Sequence, residues 1–137
     1  MDALVLLTNI SGRPKSEILA HPDPELTPEQ ESQLTSAVGK IIAGIPLPYV
    51  LGEWEFFGLR FMITPEVLIP RPESEWLVET AIQWLNENPS YRTCLDLGTG
   101  SGCLGISIAY RIPDLMVIAV DISYPALLIA RENACLH

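Results

Sequence analysis

The chain has 137 residues, 48% of them hydrophobic and 18% charged, which suits an ordinary globular fold with a buried core and excludes a disordered segment. Its formal net charge of −9 repels phosphate backbones, favouring a protein partner or small cofactor over direct nucleic-acid binding. The three cysteines, Cys94, Cys103 and Cys135, are odd in number and lack metal-type spacing, so they read as small buried hydrophobes in a reducing, cytoplasmic setting, with no metal site.

The apolar start, Met1 to Ile10, carries Asp2 where a signal peptide wants positive charge, and it is too short to span a bilayer. Ala3, Leu4, Leu6 and Leu7 predict short helices broken at Gly12, Arg13 and Pro14, followed by a turn at His21-Pro22-Asp23-Pro24. Thr27, Pro28 and Gln30 form the signature of a capping box, so a helix is expected over about residues 28–44, with Leu34, Val38, Ile41, Ile42 and Ile45 on its inner face. Pro46 and Pro48 end that helix, and the aromatic and β-branched run from Glu53 to Ile63 around Gly58 predicts a hairpin. Its aromatics, Trp54, Phe56 and Phe57, divide between core packing and partner contact. Pro65, Pro70 and Pro72 then exclude regular structure as far as Glu73. From Glu73 to Asn86 the helical spacing of Trp76, Leu77, Thr80, Ala81, Trp84 and Leu85 predicts a helix with that stripe in the core.

Beyond Thr93 the pattern runs strand, glycine loop, helix, strand, helix: Cys94 to Leu97, Cys103 to Ile112, Met116 to Val120, and Pro125 to Cys135. This alternation predicts the opening of a doubly wound α/β fold. Leu95, Leu97, Val117, Ile118 and Val120 present apolar faces that further strands would cover.

The loop itself reads Asp96-Leu97-Gly98-Thr99-Gly100-Ser101-Gly102. Alternating glycines let a backbone turn tightly and approach a ligand that a Cβ would exclude. Asp121, closing the second strand, is placed to accept hydrogen bonds from both ribose hydroxyls of an adenosine, though it could instead cap the next helix, a task Ser123 could take over. Two nucleoside ligands stay open. A dinucleotide loop wants its third glycine three residues after the second, where this chain has Cys103. A carboxylate at Asp96 would repel pyrophosphate and suits the ammonium of a methionine moiety, so the loop favours S-adenosylmethionine over NAD.

Several runs carry a family resemblance: Pro48-Tyr49-Val50-Leu51-Gly52-Glu53, Glu55-Phe56-Phe57-Gly58, Leu68-Ile69-Pro70-Arg71-Pro72-Glu73-Ser74-Glu75, Asp96 to Gly105, Val120 to Ser123 and Ala126 to Ala134. Together they resemble the HemK/PrmC glutamine methyltransferases over most of the chain, and the Arg-Pro-Glu-Ser-Glu run is specific to that family. The resemblance implies a partial Rossmann-like S-adenosylmethionine-dependent α/β methyltransferase fold (residues 73–137). Before it come a small helical domain that docks peptide-chain release factors (1–48) and a β-hairpin linker (49–72). The implied reaction transfers a methyl group to the side-chain amide nitrogen of the glutamine in a Gly-Gly-Gln motif. Asp96, Gly98, Thr99, Gly100, Ser101, Gly102 and Asp121 would bind the cofactor, and Arg71 and Glu73 would lie near a substrate channel. Glu73 and Glu75 also suit a helix N-terminus on charge alone.

The chain departs from that pattern in two places. The family usually has about one more helix ahead of the position of Asp2. Its catalytic Asn-Pro-Pro-Tyr loop, which accepts the N–H bonds of the target amide, has no counterpart among residues 1–137. No catalytic residue is therefore assigned, and His21 and His137 are expected to be solvated. The alternatives are a noncatalytic fragment that only binds cofactor or partner and, less favoured by the loop spacing, an NAD-dependent oxidoreductase.

Overall fold

The computed structural model describes residues 2–21 and 25–137, so the turn expected at Pro22, Asp23 and Pro24 lies outside the described residues. The chain divides into two compact units, Met1–Leu51 and Gly52–His137.

In the first unit, α1 (Asp2–Ser11) packs against α2 (Lys15–Ala20), α3 (Pro28–Ile42) and α4 (Leu47–Leu51), burying Leu6, Ile18, Ala37 and Leu47. The expected capping box opens α3: the Gln30 amide N–H donates to Thr27 Oγ1 at 3.3 Å, and the Thr27 N–H donates to Gln30 Oε1 at 3.0 Å. Gln30 has a third task, since its Nε2 donates to the Ile10 carbonyl at the end of α1. The inner face of α3 is rotated from the expected one. Ala37 is buried and Leu34 and Ile41 are half-buried, whereas Val38, Ile42 and Ile45 are exposed, Ile42 at 81%. Period 3.6 places two adjacent stripes on this helix, and α1 covers the one that includes Ala37. Pro46 and Pro48 do not simply end helical structure either. Pro48 sits in the first turn of α4, where a missing N–H breaks no hydrogen bond, and Pro46 offers its carbonyl to Tyr49 and Val50.

The second unit begins with the hairpin, β1 (Glu53–Phe56) antiparallel to β2 (Leu59–Met62), with Trp54 opposite Phe61 and Phe56 opposite Leu59. Those four residues share one face, while Glu53, Glu55, Arg60 and Met62 take the other. Phe56 and Phe61 are fully buried and meet edge to face at 6.3 Å. Phe56 is therefore core and unavailable to a partner, while Trp54 and Phe57 are half-buried. The two-residue turn Phe57-Gly58 has φ of 53° and 76°, the double left-handed geometry that matches strand twist. A left-handed phenylalanine costs roughly 1–2 kcal/mol. It is held by the Glu75 carboxylate, which accepts the Phe57 N–H at 2.9 Å, and by the Arg111 guanidinium 5.3 Å above its ring.

A 3-10 turn (Pro72–Ser74) leads into α5 (Glu75–Glu87). Here Val78 and Leu85 are buried and Ala81 half-buried, while Trp76 (71% exposed), Leu77, Thr80 and Trp84 face solvent, so the fold covers only the Ala81 and Leu85 side of the stripe expected in the core. Packing against α6 selects that side, together with Val78. Then β3 (Thr93–Leu97), α6 (Cys103–Arg111), β4 (Met116–Val120) and α7 (Tyr124–Leu136) follow in order, with β3 and β4 parallel and Asp96 level with Ala119. His137 is exposed, but it is not free in solvent: its Nε2 lies 2.8 Å from the Arg60 carbonyl and its ring 5.3 Å from that of Phe61.

One sheet face meets α6. On the other, Leu95 (55%), Leu97 (74%), Met116 (56%), Ile118 (46%) and Val120 (37%) are open. Val117 does not belong to this exposed set, because it pairs with Cys94 on the helix side and is half-buried. A contiguous aliphatic face of this kind drives association. A polypeptide of residues 1–137 should sediment as increasingly heavy species as its concentration rises, and Leu95→Lys with Ile118→Lys should return it to monomer with unchanged helical circular dichroism. A concentration-independent monomer before substitution would show the face is not adhesive.

Candidate functional site

The site forms where β3 ends and the backbone turns into α6. Gly98, Gly100 and Gly102 all have positive φ (73°, 55° and 82°), a region that L side chains rarely adopt. A Cβ at Gly98 or Gly100 would meet no atom within 4 Å, so both line open space. Gly102 and Gly105 have no such room. A Cβ at Gly102 would come within 3.3 Å of the Ala130 Cβ, and one at Gly105 within 2.9 Å of Val117 Cγ1 and 3.0 Å of Asp96 Oδ2. The first two glycines thus keep a cradle open, and the last two let α6 press against β3, β4 and α7.

The loop is held by groups outside it. The Val120 carbonyl accepts from the Gly98 and Thr99 amides at 2.8 and 3.0 Å. Asp121 Oδ2 accepts the Gly100 amide at 2.9 Å, and its Oδ1 accepts the Ser123 amide at 2.9 Å. Ser123 caps α7, its side chain accepting from the Ala126 amide at 3.3 Å. Asp121 is thus not the α7 cap but a clamp on the loop. The Ser123 amide, then the Gly100 amide, hold its carboxyl below the usual aspartate range. With the folded value lowered, its contribution to stability is present above the ordinary value of 3.8 and is lost as pH falls below it. At neutral pH the carboxylate is ionised, and each oxygen, taking one amide, keeps capacity for another donor.

Asp96 sits half-buried on the helix side of β3, with Oδ2 accepting the Thr99 hydroxyl at 2.7 Å and the Gly105 amide at 3.3 Å. Thr99 and Ser101 are buried. Burial pushes the Cys103 thiol up, which keeps it neutral and a poor nucleophile at neutral pH. Arg71 and Glu73 are exposed at the 3-10 turn. Among the described residues no hydrogen bond or ion pair joins either of them to the glycine loop.

Sequence reasoning missed Asn133. Its side chain is fully buried, donating from Nδ2 to the Ser101 carbonyl at 2.8 Å and to the Met62 carbonyl at 3.1 Å, while Oδ1 accepts the Met62 amide at 2.7 Å. The available signal was an amide on the same α7 stripe as Ala126 and Ala130, both buried.

A parallel strand pair joined through a glycine loop and one helix, with an acidic residue following the second strand, is a βαβ unit of the kind that α/β methyltransferases share with dinucleotide-binding enzymes. In agreement, the family described as Methyltransferase small domain matches residues 74–137, and the one described as PrmC N-terminal domain matches residues 1–52. Curated proteins named release factor glutamine methyltransferase align along nearly all of the chain. That of Bordetella pertussis is 41% identical over 134 residues, covering 98% of this chain and 49% of its own. That of Coxiella burnetii is 39% identical over 137 residues, covering 100% and 49%. That of Burkholderia pseudomallei is 42% identical over 134 residues, covering 98% and 47%. The chain belongs to the PrmC family of methyltransferases, and it spans about half the length of these curated relatives. Among the described residues no helix is long and apolar enough to cross a membrane.

The close approach at Gly105 is testable against ordinary helix propensity. Alanine in place of a helical glycine normally gains about 1 kcal/mol, and Gly39→Ala in α3, with nothing within 4 Å of the new Cβ, should do so. Gly105→Ala should instead destabilise by about 1–3 kcal/mol, because the stiff Val117 side chain and the bonded Asp96 cannot both retreat. Urea unfolding of the two variants decides it, and a stabilising Gly105→Ala would show that α6 is free to shift.

Proposed function

We propose that the chain forms the cofactor-binding side of a Rossmann-like S-adenosylmethionine-dependent enzyme that methylates the glutamine amide in the Gly-Gly-Gln motif of peptide-chain release factors. The observation that carries this reading is the open cradle over Gly98 and Gly100, bordered by the ionised Asp121. In it Asp121 accepts the ribose hydroxyls with the capacity its two amide bonds leave. Gly98, Thr99, Gly100, Ser101 and Gly102 give the nucleoside a backbone wall, and Asp96 adds negative charge near a methionine ammonium. The bound cofactor supplies a methyl group on a sulfonium, electrophilic without further activation.

The substrate side asks for more. An amide nitrogen is a weak nucleophile because its lone pair is delocalised, so the enzyme must orient it and accept its N–H bonds as the methyl group transfers. No side chain among residues 1–137 is assigned that task. In this reading the helical segment 1–48 docks the release factor, and the hairpin within the linker 49–72 leaves the aromatics Trp54 and Phe57 accessible. Arg71 and Glu73 line the approach to the site.

A second reading is that residues 1–137 alone bind cofactor or partner without turnover. The exposed aliphatic face of β3 and β4 favours it, since a parallel sheet needs cover on both faces.

For the cofactor, Asp121→Ala in the full-length protein should weaken S-adenosylmethionine binding in calorimetry by roughly one to two orders of magnitude through lost hydrogen bonds. Unchanged affinity would remove the ribose role. For the reaction, labelled methyl transfer to a purified release factor should be seen with the full-length reading frame and should fall more than tenfold with residues 1–137. Turnover within tenfold would place the reacting centre inside these residues, and no transfer by the full-length protein would overturn the proposal.

A further inference from the structure

We infer that Asn133 is a positioning residue that makes the cofactor loop and the hairpin strand β2 a single mechanical unit, so that the shape of the loop is set from the hairpin. The inference rests on reading the glycine loop as the cofactor site, but its geometry does not. Met62 is the last residue of β2, and its N–H and C=O point away from β1, because the neighbouring Ile63 N–H already bonds back to Gly52. The Asn133 amide takes both groups, as the next strand of a sheet would. Its remaining Nδ2 hydrogen goes to the Ser101 carbonyl, between two left-handed glycines. The amide therefore makes three bonds from zero exposure.

Few side chains could do this. The position needs one acceptor and two donors in a plane within reach of two backbone segments. Aspartate, of the same shape, has no donors and would set its charge against two carbonyl oxygens. Leucine would fill the volume and leave three backbone groups buried without partners. The stripe that carries Asn133 also carries Ala130, whose Cβ lies 3.3 Å from where a side chain at Gly102 would begin. α7 thus backs the loop at two successive turns, by contact at Ala130 and by hydrogen bond at Asn133.

The test is hydrogen exchange, because the Met62 amide is itself a donor to Asn133. In the unaltered full-length protein, the Met62 and Gly102 amides should open together, with the same protection and the same denaturant dependence, although they lie on different elements. Asn133→Asp should speed exchange at both by tenfold or more and weaken S-adenosylmethionine by at least tenfold. Leu85→Ala, a core substitution on α5, serves as a control adjusted by temperature to the same overall stability, and it should leave the ratio of loop exchange to global exchange unchanged. If Asn133→Asp fails to fold, the joint opening of Met62 and Gly102 in the unaltered protein decides. Separate opening of the two amides, or equal effects of Asn133→Asp and Leu85→Ala on the loop, would overturn the inference. If the unaltered protein binds no S-adenosylmethionine, the cofactor reading falls, and the exchange results still decide the role of Asn133.

Discussion

A loop built from glycines cannot hold its own shape, and the second unit is organised around that constraint. Between Gly98 and Gly102 three residues sit at positive φ, where the unfolded chain has most freedom to lose. Groups outside the loop return that order. The Val120 carbonyl ends β4, the Asp121 carboxylate follows it and the Asn133 amide lies on α7, and each fixes a different part of the loop. The cradle stays open because its anchors are behind it.

The same constraint explains the small residues nearby. Anchoring from behind requires α6 and α7 to come close, which Gly102, Gly105, Ala126 and Ala130 permit. It also explains why Asp96 serves the loop before any ligand. By accepting the Thr99 hydroxyl and the Gly105 amide it joins the end of β3 to both sides of the turn. Both bonds go to Oδ2, so the second carboxylate oxygen keeps its acceptor capacity.

What the sequence made legible is what short-range chemistry decides. The capping box at Thr27 and Gln30, the hairpin around Gly58 and the β3–α6–β4–α7 succession follow from turn residues and periodicity, and the structure has them. Which helical stripe is buried does not follow from period alone. On α3 and α5 apolar residues occupy neighbouring stripes, and the partner helix chose Ala37 over Val38 and Val78 over Trp76. At the candidate site the glycines and Asp121 were legible because spacing within one βαβ unit reveals them. Asn133 was not, since its partners at Met62 lie 71 residues away and its place on the stripe of Ala126 and Ala130 points to burial without naming what the amide would bond.

That separation bears on the order of assembly. The hairpin and the parallel strand pair each close over short stretches of chain and can form early, whereas the Met62–Asn133 bonds close a ring of 71 residues. Relative to a ten-residue loop, such closure costs about 2 kcal/mol more in chain entropy. Non-local contacts of this kind are made late, once local structure has shortened the effective loop. The glycine loop would then acquire its final shape near the end of folding, when α7 docks on both the strand pair and the hairpin, and a chain halted before that step would hold most of its secondary structure around an unformed cradle.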